Sequence, residues 1–278
     1  MSDIENIVVV TRIISMTSSN ELSIHGQYPQ EEDVRGLFLG NQGTQVKLLN
    51  FFLSALEPED LAALSAGMTE VVLAAGEVLF EPGGRPDAIY FPGGACISIV
   101  TILADGRTVE NATVGRESAA GLMEAITERP ATARAFAQIS GGAMRVPAAL
   151  FRARMQQSAS LAQLTLLHLR ANGVQAEQGV ACNAAHDVPA RLSRWLLMTQ
   201  DRVGSKSFPL TQDYMAVMTG VQRSTVSLAA SALKKRGVID YSRGLVTIVD
   251  RANLLRQACE CYGIIGSQFE ELRAAVED

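Results

Sequence analysis

The sequence predicts an α+β chain: an antiparallel β-barrel or sandwich, joined by a long dimerisation helix to a winged helix-turn-helix. Three observations predict it. Short β-prone runs punctuated by glycine fill the stretch from residue 71 to 146, and a period of three and four runs from 164 to 181. Helix, glycine, helix and hairpin then follow one another over 208–250. The expected divisions are a polar N-terminal extension (1–45), the barrel (46–150), the long helix (151–186), the helix-turn-helix domain (187–257) and a helical tail (258–278).

Residues 1–45 are polar and hold several Gly, Ser and Asn, so no docked core is expected there. Leu48-Leu49, Phe51-Phe52, Leu56 and Leu61-Ala62-Ala63-Leu64 suggest short helices, one opened by Glu57-Pro58-Glu59-Asp60 with proline early and acids in its first turn. The period then changes. Val71–Leu73, Glu77–Phe80, Ala88–Phe91 and Ala95–Val100 are strand-like, separated by Ala75-Gly76, Pro82-Gly83-Gly84 and Pro92-Gly93-Gly94. Asp105-Gly106 marks a hairpin to Thr108–Asn111, and a last pair near Arg134–Ile139 and Ala143–Val146 completes the barrel.

Past Pro147, Leu164, Leu167, Ala171, Val174 and Gln178 recur at coiled-coil spacing and predict the seam of a homodimer. The same stripe packed on its own barrel is the competing reading. Asp187 is placed to cap the next helix, with Pro189 in its first turn and Trp195 in its core.

The segment from Phe208 carries the most chemistry. Thr211 is read as an N-cap, Asp213 sits where the helix dipole favours an acid, and Gly220 makes the turn. Val221, Val226, Ala229 and Leu233 should face inward, which turns Arg223, Ser227 and Ser231 outward and leaves Lys234-Lys235-Arg236 at the far end. Ser242-Arg243-Gly244 lies between two β-rich runs, the wing. An exposed stripe of Arg and Ser is suited to base edges and phosphates of double-stranded DNA. Gln222, Arg223 and Ser227 are expected at bases; Thr211, Thr225, Lys234, Lys235, Arg236 and Arg243 are expected at phosphates.

Composition narrows the alternatives. The 278 residues carry a net charge of −5, yet residues 187–256 hold 11 Lys and Arg against 5 Asp and Glu, so this part is +6 and the rest −11. A basic module attached to an acidic one fits a DNA-binding unit joined to a sensor. No run approaches the roughly 20 apolar residues of a membrane span, no signal-like segment is read at the start, and a cytoplasmic location without membrane contact is expected. Cys96, Cys182, Cys259 and Cys261 show no disulfide framework. Cys259-Glu260-Cys261 and His186, four residues past Cys182, raise a metal or redox site, but without a second pair at standard zinc spacing no metal is expected. No P-loop, nucleophile elbow or His-Glu-x-x-His occurs, so no enzyme is expected. The alternative to a DNA reader is a nucleotide-type sensor whose helix-turn-helix contacts other proteins.

From about residue 46 to 257 the chain resembles the Crp/Fnr family of bacterial transcription regulators. The resemblance rests on Ala75-Gly76-Glu77-Val78-Leu79-Phe80-Glu81-Pro82-Gly83, Ile89-Tyr90-Phe91-Pro92-Gly93-Gly94 and Val114-Gly115-Arg116-Glu117, and it implies an antiparallel β-barrel of jelly-roll, cyclic-nucleotide-binding-like type. It continues in Arg191-Leu192-Ser193-Arg194-Trp195-Leu196-Leu197, Leu210-Thr211-Gln212-Asp213 and Gly220-Val221-Gln222-Arg223. It implies a homodimer on a palindromic operator, contact with RNA polymerase, and a barrel pocket for a small effector, here near Arg116, Glu117, Ser118, Arg129 and Arg134.

Two departures refine that expectation. Members that bind cyclic AMP pair its phosphate with an Arg followed by Ser or Thr, whereas the comparable stretch here is Pro130-Ala131-Thr132-Ala133-Arg134-Ala135, which argues against cyclic AMP. Many members also read bases with Arg-Glu and a second Arg four residues on; this chain has Arg223-Ser224 and then Leu228. Ser224 cannot accept from cytosine as a carboxylate does, and Leu228 offers an apolar contact suited to a thymine methyl.

Overall fold

The structure is a computed structural model and describes residues 49–277; the expected N-terminal extension lies outside the described residues. Two short helices, α1 (Phe51–Ser54) and α2 (Pro58–Ser65), precede seven strands: β1 (Thr69–Leu73), β2 (Val78–Phe80), β3 (Ala88–Pro92), β4 (Cys96–Ile102), β5 (Thr108–Val114), β6 (Arg134–Ile139) and β7 (Gly141–Pro147). A helix, α3 (Leu122–Thr127), lies between β5 and β6. Next come α4 (Ala148–Met155), the long α5 (Ala159–Ala185) and α6 (Val188–Val203). The chain continues with β8 (Ser207–Pro209), α7 (Gln212–Thr219), α8 (Arg223–Lys235), the wing strands β9 (Ile239–Ser242) and β10 (Leu245–Ile248), α9 (Arg251–Gln257) and α10 (Cys261–Glu277).

The seven strands form two antiparallel sheets, ordered β1-β7-β3 and β2-β6-β4-β5. Between them lie Leu73, Phe80, Ala95, Ile97, Val114, Ala120, Ala131, Ala135, Ala137 and Ala143. Many of these are alanines, so the sheets close on each other and the interior stays apolar. A second cluster holds α1 to α4 against β3 and β7, with Phe52, Phe91 and Phe151 at its centre.

Two buried polar side chains tie this half together. Asn50 caps α1 by accepting from Leu53 N, and its Nδ2 donates to Pro92 O (2.9 Å) and Ser118 O (2.8 Å). Asp60 takes bonds from Arg154 (2.6 Å), Ser158 (2.8 Å) and Ser160 (3.1 Å), joining α2 to α4 and to the start of α5. Expected as a first-turn acid, Asp60 therefore also serves as an inter-helix anchor.

Ser158 caps α5 by accepting from Leu161 N, and Asp187 caps α6 by accepting from Ala190 N, with Pro189 in the first turn. Leu161, Thr165, His168, Ala171, Gln175 and Cys182 form the buried stripe of α5. The seam expected at Leu164, Leu167, Ala171, Val174 and Gln178 is corrected here. Ala171 is buried against Met198, Ile265, Phe269 and Leu272, because α10 folds back along α5. Gln178 donates to Cys261, and Leu164 packs on the barrel-side cluster. The large exposed apolar residues of α5 are Leu166, Leu167 and Val180, so of the expected seam Leu167 alone belongs to that outward set.

Candidate nucleic-acid interface

α7 begins at Thr211, whose hydroxyl accepts from Tyr214 N (3.2 Å), and ends at Gly220 in the left-handed region. The N–H groups of Gly220 and Val221 return to Val217 O and Ala216 O, which closes the helix in a Schellman turn and aims the chain into α8. Val226, Ala229, Ala230 and Leu233 of α8 are buried with Trp195, Leu196, Phe208, Met215, Val246 and Ile248. The inward residues expected from spacing are thus the ones that hold the helix.

What remains outward is Gln222, Arg223, Ser224, Thr225, Leu228, Ser231, Lys234 and Lys235. Arg223 is 65% exposed and 3.5 Å from Asp213, a loose pair that leaves its guanidinium available. Leu228 is 74% exposed, with no packing reason for an apolar side chain in that position. Ser227 differs from expectation: half-buried, its hydroxyl lies 2.7 Å from Arg223 O and 2.9 Å from Gln212 Oε1, so it braces α8 against α7. Lys234 pairs with Asp240 (2.7 Å) and donates to Tyr241 O, fastening the helix end to the wing; the pair holds Asp240 below the usual carboxylate range. Arg236 is exposed and bonds Gln257 of α9.

The wing is a sheet ordered β8-β10-β9, with Ser242 opposite Leu245 across a two-residue turn. Both turn residues have positive φ, Arg243 at 50° and Gly244 at 77°. Such a turn favours Asn-Gly. Arg in the first position is strained, and its side chain stands exposed at the wing tip.

A second set of polar residues lies where this domain rests on the outer face of β4, β5 and β6. Cys96 and Ile139 of the barrel share a core with α6, and Tyr214 stacks on Phe136. Trp195, expected simply as core, donates its Nε1–H to Glu110 Oε1 (2.9 Å). Ser98 Oγ lies 2.9 Å from the other carboxylate oxygen. Burial lifts Glu110 to about 7, partly offset by those two bonds and by Arg202 and Arg194. Arg202 donates to Glu117 (2.7 Å) and to Gln175 of α5 (2.7 Å), and a Cβ on Gly115 would collide with the Arg202 side chain.

The effector residues expected at Arg116, Glu117, Ser118, Arg129 and Arg134 do not converge. Arg116 donates to Arg202 O, Glu117 holds Arg202, and buried Ser118 meets Asn172 of α5: all three turn to the junction with the long helix and α6. Arg134 pairs with Glu81 (2.8 Å), and Arg129 is exposed beyond α3. The cause is the loop after β5, which carries 115–118 away from the barrel interior. Between the two sheets that interior is lined by apolar side chains, among them Leu73, Phe80, Ile97 and Val114.

The four residues that raised a metal or redox site, without a second pair at standard zinc spacing, do converge. Cys182, His186, Cys259 and Cys261 bring their donor atoms within 4.8 Å of one another.

Comparison with known proteins decides the family. Residues 190–257 match the model of a Crp-like helix-turn-helix domain, and residues 70–158 match that of a cyclic nucleotide-binding domain. A relative in Mycobacterium tuberculosis, described as a CRP-like cAMP-activated global transcriptional regulator, is 24% identical over 73% of this chain and 94% of that protein. The chain belongs to the Crp/Fnr family. Among solved structures, FixK2 from Bradyrhizobium japonicum superposes with a TM-score of 0.60 at 17% identity, covering 69% of this chain and 98% of that one. A CRP-family transcriptional regulator from Thermus thermophilus gives 0.57 at 20% identity, covering 68% and 96%. This Crp/Fnr protein is a DNA-binding transcription regulator in which the exposed side of α8 and the wing form the surface facing outward from the winged domain. No helix among the described residues is long and apolar enough to cross a membrane.

Proposed function

We propose that this Crp/Fnr protein is a cytoplasmic homodimer that reads a two-fold symmetric operator, acts with RNA polymerase, catalyses nothing, and does not respond to cyclic AMP. The observation that carries the reading is the outward face of α8. Leu228 is exposed without a packing role, Arg223 is exposed and held only by its 3.5 Å pair with Asp213, and Gln222, Ser224 and Thr225 flank them. Arg223 grips guanine O6 and N7 and Leu228 covers a thymine methyl. Lys235, Arg236 and Arg243 hold phosphates, with Thr211 and Thr225 beside them. Lys234 and Ser227, already engaged within the domain, position the helix instead. Pairing through Leu166, Leu167 and Val180 of α5 would set two such faces against half-sites about 34 Å apart.

The signal acts at the junction between barrel and winged domain. An effector shifts the equilibrium only by binding one arrangement of the junction better than the other. The apolar barrel interior supports a branch that senses something other than a cyclic nucleotide. The test is selection of bound duplexes from a random pool, with and without cyclic nucleotides. The expected result is an inverted repeat indifferent to cyclic AMP; a monomer that retains no duplex at low salt would refute the reading.

A further inference from the structure

We infer that Cys182, His186, Cys259 and Cys261 form a tetrahedral site for a thiophilic divalent cation of the zinc class. The donors come from two distant segments. Cys182 and His186 lie one turn apart at the end of α5, on one face; Cys259 and Cys261 flank the entry to α10.

The distances are those of one metal ion. Cys182 Sγ is 3.5 Å from Cys259 Sγ, Cys261 Sγ is 3.5 Å from His186 Nδ1, and all four donors fall within 4.8 Å. Zinc bonds of about 2.3 Å to sulfur and 2.0 Å to nitrogen put tetrahedral edges at about 3.8 Å between sulfurs and 3.5 Å between sulfur and nitrogen. Closing the set takes side-chain shifts of up to about 1 Å: the Cys182 and Cys259 sulfurs, at 3.5 Å, open slightly, and the widest pairs, up to 4.8 Å apart, draw in.

The surroundings also suit a metal. His186 turns Nδ1 toward the sulfurs while Nε2 faces the Glu260 carboxylate at 3.2 Å, the outer-shell contact that fixes a ligating imidazole. Gln178 points an N–H at Cys261 Sγ (3.1 Å). All three thiols are buried, so water is excluded on the sulfur side. Three soft sulfurs and an imidazole select zinc over magnesium or calcium. Binding displaces three thiol protons to solvent and leaves a complex of net charge −1. A Cys182–Cys259 disulfide would use two donors and leave Cys261 and His186 facing it to no purpose. An iron–sulfur cluster spreads its thiolates wider than this set.

The site would tie the two ends of the winged domain's frame. Cys259 follows α9 directly, so the cation would pin that domain's last helix and the start of α10 to the end of α5. It would thereby hold α10 over Ala171 and Met198.

The test uses the full chain, reduced and stripped of metal, titrated with Zn(II) against a chromophoric chelator and separately with Co(II). Expected are stoichiometric uptake and a Co(II) spectrum with tetrahedral visible bands and a thiolate charge-transfer band. Cys96→Ser, remote from the set, should match the parent. His186 lies at the surface, so its variants should keep the helical circular dichroism. His186→Ala should weaken Zn(II) at least about tenfold, as should Glu260→Gln, whereas His186→Cys should retain the ion and add thiolate intensity. Any of four results overturns the proposal: no uptake by reduced protein, an octahedral Co(II) spectrum, an iron–sulfur chromophore in the purified chain, or unchanged affinity in His186→Ala.

Discussion

Arg202 and Arg223 belong to one winged domain and have opposite fates. Arg202 is 5% exposed and committed, to Glu117 of the barrel and Gln175 of the long helix. Arg223 is 65% exposed, with a single pairing at 3.5 Å. A buried charge must be matched where it stands, so it fixes geometry. A solvated charge gains little from its own chain and remains available to a polyanion. The junction and the recognition face therefore divide the labour of placing and reading.

The largest expected effect would break the junction. Arg202→Ala strands the Glu117 carboxylate and should cost about 3–5 kcal/mol of stability, read by urea titration. Replacing both residues with apolar ones of similar size should recover much of it. A loss below about 1 kcal/mol for Arg202→Ala would show that the junction is open to water.

Acid and base should then act in opposite directions on the same frame. Glu110 stands at about 7 against an ordinary 4.5, so its contribution is full below 4.5 and is lost as pH rises through 7. His168, packed against Phe52 and Phe269, is pushed by burial to about 4 against 6.5, so its contribution is full above 6.5 and is lost as pH falls through 4. The two contributions, each on the order of 3 kcal/mol in total, have opposite slopes and nearly cancel in the parent between pH 4.5 and 6.5. Glu110→Gln should reveal a melting temperature that climbs from pH 4 to 6.5; His168→Phe should reveal one that falls from 4.5 to 7. Flat profiles in both variants would remove the burial assignment.

The recognition face sharpens the contrast with smaller numbers. Arg223→Ala should leave melting unchanged and erase about 1–3 kcal/mol of discrimination at one base pair per half-site. Lys235→Ala should weaken every duplex alike and lower the slope of log affinity against log salt by about 0.9 per site. Equal losses on specific and random DNA for Arg223→Ala would reassign that residue to the backbone.

Local patterns are legible in the sequence where they concern neighbours. One-turn spacing turns Val226, Ala229 and Leu233 inward, and Asp187 and Thr211 cap the helices that follow them. Each depends on groups within a few residues. The wing turn at Arg243-Gly244 is equally visible. What the sequence conceals lies between elements. Trp195 reads as core because its neighbours are leucines, and nothing local announces that its N–H reaches Glu110, 85 positions away. Arg116 and Glu117 look like pocket residues because the motif around them is familiar; a change of loop direction sends them to Arg202 instead.

The amino-acid order by itself settled most strands, helix caps and turns, though not α3, β8 or the break between α4 and α5, and which side of the recognition helix is wet, since period and capping act over a few residues. Tertiary structure alone decided that the C-terminal helix covers Ala171, that the barrel fills with its own alanines, and that three cysteines meet one histidine. Those outcomes depend on which distant surfaces pack together, and one-dimensional spacing carries no record of that choice.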